Sequence, residues 1–147
     1  MLEIDQKVIS MITTDVTMAG YLNGTLSDNR IYAWYPVSDI AYTIGFQEVA
    51  IIFRDSLGGR PYEWSYPSQI PHITYFFRIL SINQILLSQC KERLIVLFDQ
   101  KSIETTNWYV KYVELASDAN GMTEGSPTQP IMSRNVNFLF KEVFRKG

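Results

Sequence analysis

The spacing of hydrophobic residues changes period near the middle of the chain. From residue 73 to residue 79, apolar side chains occupy every second position, which is typical of a β-strand with one buried face. That face carries Ile73, Tyr75, Phe77 and Ile79. Beyond it the apolar residues recur every three or four positions, which predicts an amphipathic helix from Ile82 to Phe98. The predicted apolar stripe of this helix consists of Ile82, Ile85, Leu86, Cys90, Leu94, Leu97 and Phe98.

The junction between this strand and helix has the pattern of a capping box. The Ser81 hydroxyl is placed to accept from the Gln84 N–H, and the Gln84 side chain is placed to accept from the Ser81 N–H. A strand that enters a helix with almost no loop places the helix across its own sheet. Leu87, Ile95 and Val96 lie off the main stripe, which indicates a second packed face, with a neighbouring subunit as its candidate partner.

Hydrophobic periodicity also predicts elements on both sides of this segment. Leu2–Thr14 is a predicted helix, and Asp15 is placed to cap a second short helix that ends at Asn23 and Gly24. The predicted extended segments are Arg30–Pro36, Gln47–Asp55, Asn107–Leu115 and Asn135–Phe144. The second of these is apolar on both faces, which favours a central strand or one covered on both sides.

Two segments lack such a pattern and are predicted to be long loops, 57–71 and 116–132. The second is rich in Gly, Pro, Ser, Thr and Asn, and loops of this length in compact domains are usually functional or disordered. Together the elements predict one α+β domain over residues 1–147, with an antiparallel or mixed β-sheet and helices packed on one face. The expected order is an N-terminal helix, strands, a central helix and two C-terminal strands.

Composition narrows the class of protein. The chain has 147 residues, 46% of them hydrophobic, and a net charge of −2 with no basic run, so a primary role in DNA binding is not expected. It contains no apolar run of roughly 20 residues, the length that spans a bilayer, and its first residues do not resemble a signal peptide. The single cysteine, Cys90, excludes a disulfide framework within one chain.

Candidate catalytic and metal-binding groups are few and isolated. His72 is the only histidine, and no acidic residue completes a recognisable triad with it and Ser65 or Ser68. Cys90 falls on the apolar stripe, which predicts a buried structural thiol. Several loop carboxylates lack the ligand spacing of a calcium site, namely Asp28, Asp39, Asp118 and Glu124. We therefore expect no catalytic residue, no cofactor and no metal site.

An aromatic segment rich in arginine indicates contacts with other molecules. Arg60, Tyr62, Trp64 and Tyr66 all lie in the predicted loop 57–71. Such residues are preferred anchors of protein–protein interfaces, and they also stack on single-stranded nucleic acid. The acidic net charge of the chain favours the protein interface.

The order of these segments resembles that of phage tail-completion and tail-terminator proteins. The matching pieces are Thr14–Thr17, Arg30–Tyr32, Ala50–Ser56, Ile73–Ile79 with the helix to Phe98, and Ser133–Phe140. The resemblance extends over most of the chain. It departs from the family pattern at 37–46 and 60–71, which are longer than expected.

This resemblance implies a virion protein of the tail or neck, assembled in the host cytoplasm. Its subunits would form a ring, expected to be a hexamer, that caps the tail tube, stops its polymerisation and joins it to the head-side connector. The implied partners are further copies of the chain, the tail tube protein and the head-completion or connector protein. DNA would only pass through the lumen, no membrane is involved, and the mechanism would be binding rather than enzymatic turnover.

The candidate interface residues under this interpretation lie in the two predicted loops. They are Arg60, Tyr62, Trp64, Tyr66, Asp118, Met122 and Glu124. Three alternatives stay open. The chain would then be a head-closure or other minor tail protein, a small enzyme or ligand-binding module with a pocket under the aromatic loop, or a nucleic-acid-binding accessory protein.

Overall fold

The computed structural model describes residues 2–22, 31–33, 49–57, 67–126 and 129–146. Within these ranges the helices are α1 (Leu2–Thr13), α2 (Val16–Leu22) and α3 (Gln84–Phe98). The strands are β1 (Ile31–Ala33), β2 (Ala50–Asp55), β3 (Gln69–Ser81), β4 (Ile103–Glu104), β5 (Trp108–Asn120), β6 (Glu124–Ser126) and β7 (Gln129–Arg145). The chain is an α+β protein, as the sequence predicted.

The strands form one sheet in the order β1-β2-β3-β7-β5-β4, and β6 pairs with β7. Only the β1–β2 pair is parallel among the described strands, so the sheet is mixed. Strand β2 lies between β1 and β3 and is buried along most of its length, which confirms the prediction of an internal strand from its two apolar faces.

The centre of the sheet is built by the long strands β3, β7 and β5. Phe77 pairs with Val136, and Phe140 pairs with both Ile73 and Val113, so the apolar residues of the three strands share one face. This inner face is fully buried at Tyr75, Phe77, Phe138 and Phe140. The alternate residues of Ile73–Ile79 and of Val136–Phe140 therefore form one buried face of the sheet, as the sequence predicted.

Helix α3 packs across this inner face and contacts β3, β7 and β5. Its Phe98 ring lies 5.6 Å from the ring of Phe77 and 5.7 Å from that of Phe138, measured between centroids. Aromatic rings at such separations add dispersion and quadrupole attraction to the burial of apolar area. The α3–sheet contact is thus the centre of the hydrophobic core.

The two N-terminal helices extend the same layer. Helix α1 buries Ile4, Val8 and Ile12 in the main core, as its spacing predicted. Asp15 begins α2 as expected, since its carboxylate accepts a hydrogen bond of 3.0 Å from the Met18 N–H. The same carboxylate receives two hydrogen bonds from Arg93 of α3, which ties α2 to α3.

The capping box predicted at the start of α3 is wrong. The N-cap is Asn83, whose side chain accepts from the N–H groups of Ile85 and Leu86. Ser81 remains the last residue of β3, and its hydroxyl accepts from the Asn83 N–H. An asparagine oxygen satisfies these donors as well as a serine hydroxyl does, so the two possible caps compete within three positions.

The predicted apolar stripe of α3 is also partly wrong. The buried residues are Leu87, Cys90, Leu94 and Phe98. Leu87, which the sequence placed off the stripe, is in the core, whereas Ile85 is 70% exposed. A spacing of three, four and four residues through Leu87 was the signal that would have identified this face.

The irregular loop predicted over residues 116–132 is wrong as well. Strand β5 continues to Asn120, β6 covers Glu124–Ser126, and β7 begins at Gln129. The loop-like composition is overridden because β7 pairs with β5 as far as the Asn120–Arg134 pair, after a register shift between Leu115 and Ser117. At the other predicted loop, 57–71, β3 begins at Gln69, and residues 58–66 lie outside the described parts of the chain.

Candidate interaction surface

The predicted interface residues fall into two groups. Arg60, Tyr62, Trp64 and Tyr66 lie outside the residues that the structure describes, so their role stays a prediction. Asp118 lies in β5, Met122 follows that strand, and Glu124 begins β6, although the Glu124 side chain is outside the described part. The structure thus places the second group at one end of the β5–β7 hairpin.

Asp118 is occupied by ion pairs within the chain. Its Oδ1 accepts a 2.6 Å hydrogen bond from Arg134 Nε, and its Oδ2 lies 3.2 Å from Lys91 Nζ. The hydrogen bond from Arg134 is the largest influence on the pKa of Asp118 and holds it below its ordinary value, with Lys91 acting in the same direction. Because Lys91 belongs to α3, this carboxylate fastens the helix to the hairpin, and the structure assigns it an intramolecular role.

Met122 is the part of this group that faces outward. Its side chain is 76% exposed, while its carbonyl accepts a 2.8 Å hydrogen bond from the Ser133 hydroxyl. The neighbouring Gly121 donates its N–H to the Ser133 carbonyl at 2.9 Å. A fixed backbone therefore presents an apolar side chain to the outside.

A groove of about 220 Å³ separates this hairpin end from the start of α3. Gln84 and Ser88 line one side, and Gly121 and Thr123 line the other. Two exposed apolar residues, Ile85 and Met122, are chain neighbours of these lining residues. The lining of the groove itself is largely polar, with Asn120, Ser133 and Arg134 also contributing to it.

The outer surface of α3 carries two exposed apolar side chains with polar residues between them. We define it by Ile85, Gln89, Glu92 and Val96, which are spaced by four, three and four residues and are all exposed. Ile85 is 70% exposed and Val96 is 56% exposed. Val16, which begins the adjoining helix α2, is 74% exposed. Of the three residues predicted to form a second face, Leu87 is in the core, Ile95 is partly buried against it and Val96 is exposed. The packing of this face against a neighbouring subunit stays a prediction.

The sheet presents a different character on the face that points away from α3. On this outer sheet face the Arg54 guanidinium lies 5.0 Å from the Phe76 ring centroid, and Lys141 Nζ lies 5.6 Å from that of Tyr112. Lys141 also forms an ion pair with Glu114. Cations over aromatic faces are attracted by the ring quadrupole. The two sides of the domain therefore differ: the outer surface of α3 carries Ile85 and Val96 among polar residues, whereas the outer sheet face carries cation–aromatic contacts and an ion pair.

A second cavity, of about 480 Å³, lies where β3 begins. Its lining includes Ile70, Pro71 and Phe144, and the ion pair between Lys111 and Glu142, whose charged atoms are 3.0 Å apart. Glu142 has a positive φ of 52°, an uncommon conformation for a residue with a side chain. The aromatic segment Arg60–Tyr66 is followed closely in the chain by Gln69, Ile70 and Pro71, which form part of the wall of this cavity.

The other chemical candidates are placed as follows. Cys90 is fully buried, and this burial raises the pKa of its thiol to about 12, so the side chain is the structural thiol that its position predicted. His72 is exposed on β3 opposite Lys141. Among the described residues no group of three or more histidine, cysteine or acidic side chains is arranged to hold a metal ion. Asp28, Asp39 and Ser65 are outside those residues.

Comparisons with known proteins add no relative. No protein-family model matches the chain, and no curated protein matches it either. In the described part of the chain, none of the helices has both the length and the apolar character needed to cross a membrane.

Proposed function

We propose that this chain is a ring-forming structural protein of a bacteriophage tail, a terminator that caps the tail tube, stops its polymerisation and joins it to the head-side connector. The proposal begins from the order of segments that resembles the tail-terminator family. The described order is compatible with it: N-terminal helices, a strand pair, a long strand entering a helix, and two long final strands.

The observation that carries the proposal is the apolar outer surface of α3. Ile85 and Val96 are large side chains that are left exposed on a helix whose opposite side is fully buried. Exposed apolar side chains with polar residues between them, here Gln89 and Glu92, are a common composition of protein association surfaces. A subunit that is to associate needs such a surface outside its own core.

Ring closure requires two different surfaces on each subunit, because a head-to-tail interface joins one patch to another. The outer surface of α3 and the outer sheet face are two such patches on opposite layers of the domain. Their different chemistry supports a heterologous contact over a two-fold one, in which a single patch would have to be complementary to itself. The ring is expected to be a hexamer.

The experiment compares the native mass and electron micrographs of the protein with those of an Ile85→Glu, Val96→Glu variant. We expect rings for the parent and monomers for the variant, with unchanged far-ultraviolet circular dichroism, because both side chains are exposed in the monomer. Loss of two apolar anchors should raise the dissociation constant at least roughly tenfold.

The matched control is the Gln6→Glu, Ser10→Glu variant, which adds the same charge at two exposed positions of α1. It should assemble like the parent. A parent protein that remains monomeric and joins no tail would refute the ring, whereas equal disruption by both variants would refute the assignment to α3.

A second candidate, the ligand-binding module, is favoured by the cavity at the start of β3. Its volume of about 480 Å³ falls in the range of small-molecule pockets. Replacing Phe144 by Ala should then abolish any thermal shift that a small-molecule library produces, whereas under the ring hypothesis no such shift occurs.

A further inference from the structure

Three polar side chains from three different elements meet inside the protein. They are Asp5 of α1, Asp55 at the end of β2 and Tyr75 of β3, and all three are buried. The Tyr75 hydroxyl donates to Asp5 Oδ1 at 2.5 Å. Asp55 Oδ1 accepts a 2.8 Å hydrogen bond from the Leu57 N–H. The cluster therefore connects the first helix to two neighbouring strands.

The chemistry of this cluster requires a proton. Asp55 is the cross-strand partner of Tyr75, whose hydroxyl meets the Asp5 carboxylate, so the two carboxyl groups are neighbours in one buried site. Two carboxyl groups that share a hydrogen bond hold one proton between them, because two ionised carboxylates have only acceptors. Ionising both would also place two like charges in a buried site. The proton is thus part of the contact between α1 and the sheet.

The surroundings of Asp5 act in opposite directions on its acidity. Burial is the largest influence and, with the hydrogen bond to Asp55 and the charge of that residue, raises the pKa of Asp5 from 3.8 to about 7. The Tyr75 hydrogen bond and the positive charge of the amino terminus lower the pKa of Asp5, without cancelling the rise.

Other charged groups near α1 are engaged elsewhere. Glu3 accepts hydrogen bonds from the backbone and side chain of Asn107, and Asp15 binds Arg93. The remaining attachment of the helix is apolar, through Ile4, Val8 and Ile12.

We propose that the proton shared by Asp5 and Asp55 is a latch that holds the first turns of α1 on the sheet, and that its release loosens α1 while the sheet stays folded. The proposal is independent of the function proposed above. A group whose pKa is higher in the folded than in the unfolded chain stabilises the fold fully below its ordinary pKa and ceases to do so as the pH rises through the folded value. The latch is therefore closed in acid and opens around neutral pH.

The test combines two nuclear magnetic resonance measurements on the full chain. The carboxyl-carbon shift of Asp5 should titrate near pH 7. Between about pH 5 and about pH 9, the hydrogen-exchange protection of the α1 amides relative to β7 should fall on the order of tenfold or more, since each pKa unit corresponds to a factor of ten.

Two variants separate the latch from a general effect of pH. In Asp5→Asn the α1 protection should not depend on pH, and in Asp55→Asn the Asp5 titration should move to lower pH because the like charge is gone. Glu92→Gln, which removes an exposed carboxylate of α3, should behave like the parent. An Asp5 that titrates below about pH 5, or α1 protection that stays constant in the parent, would overturn the proposal.

Discussion

Gly121 lies so close to β7 that a side chain at its position would displace the side chain of Ser133. A Cβ atom built there would be 2.2 Å from the Ser133 hydroxyl oxygen, which is itself bonded to the Met122 carbonyl. The small residue that suggested a loop in the sequence is thus a requirement of close packing within the hairpin.

Gly121→Ala is expected to lower the free energy of unfolding by about 1–3 kcal/mol, because Ser133 must move and its hydrogen bond to Met122 is lost. Urea denaturation followed by circular dichroism measures the change. Gly20→Ala in α2 is the matched control, since no atom lies within 4 Å of the added methyl. It should raise stability by about 0.5–1 kcal/mol, as alanine favours the helix. Equal effects of the two substitutions would contradict this account.

Asp118 shows what the type of a residue leaves out. It lies in a segment with the composition of a loop, and it was predicted to be an interface residue. Its partners, Lys91 and Arg134, are 27 and 16 positions away. The pairing of β7 with β5 brings Arg134 to it, and the packing of α3 on the sheet brings Lys91. The interface role of Asp118 stays a prediction.

Among the elements, α3 shows that a helix has two separate determinants. The N-cap at Asn83 decides where the helix begins. Packing on the sheet decides its rotation, which buries Leu87, Cys90, Leu94 and Phe98 and leaves Ile85 and Val96 on the outer surface.

Asn83→Ala is expected to reduce stability by about 1 kcal/mol, since two N–H groups of α3 lose their acceptor. Gln84→Ala should change stability much less, because the Gln84 side chain is exposed and is not the cap. Thermal denaturation of the two variants distinguishes the cases. A larger loss for Gln84→Ala would restore the capping box that the sequence indicated.

In strand β5, the last residues have the composition of a loop but the structure of a strand. Residues 116–120 contain small and polar side chains, yet they continue the strand opposite β7. Side-chain bonds support this pairing, including one of 2.9 Å from Asn137 Nδ2 to Ser117 Oγ. Strand formation here depends on the partner strand more than on local preference.

At the scale of the molecule, the described residues form a large apolar cluster that joins the helix layer to the sheet and a smaller one of Ala50, Ile52, Leu80 and Ile131. The large cluster contains side chains from α1, α2 and α3 and from β2, β3, β4, β5 and β7. Because these elements bury their apolar side chains against one another, none of them is expected to stay folded without the others. The described parts of the chain are therefore expected to unfold together when the contact of α1 with the sheet is intact.

Urea unfolding at about pH 5 should accordingly be a single transition, with far- and near-ultraviolet circular dichroism giving the same midpoint. This pH lies below the titration of Asp5, so α1 is still held on the sheet. Earlier loss of the helical signal under these conditions would show that the helix layer is a separate unit.

The periodicity of the chain was sufficient to predict the α+β class, both N-terminal helices, and the long central strand with its helix. These features depend on residues within about one turn or one strand of each other, where spacing alone decides which side chains share a face. The buried thiol of Cys90 follows from the same local pattern. The pairing of the last two long strands was predicted from their order along the chain, and the structure confirms it.

Features that join distant residues could not be obtained in that way. Nothing in the spacing of residues indicated that Asp5 and Tyr75, separated by 70 positions, would share a hydrogen bond, or that residues 116–120 would pair with β7. Whether an apolar residue such as Ile85 or Leu87 is buried depends on the rotation of α3 against the sheet. Burial, ion pairing and proton sharing are properties of contacts, and these contacts exist only once the strands and helices have packed.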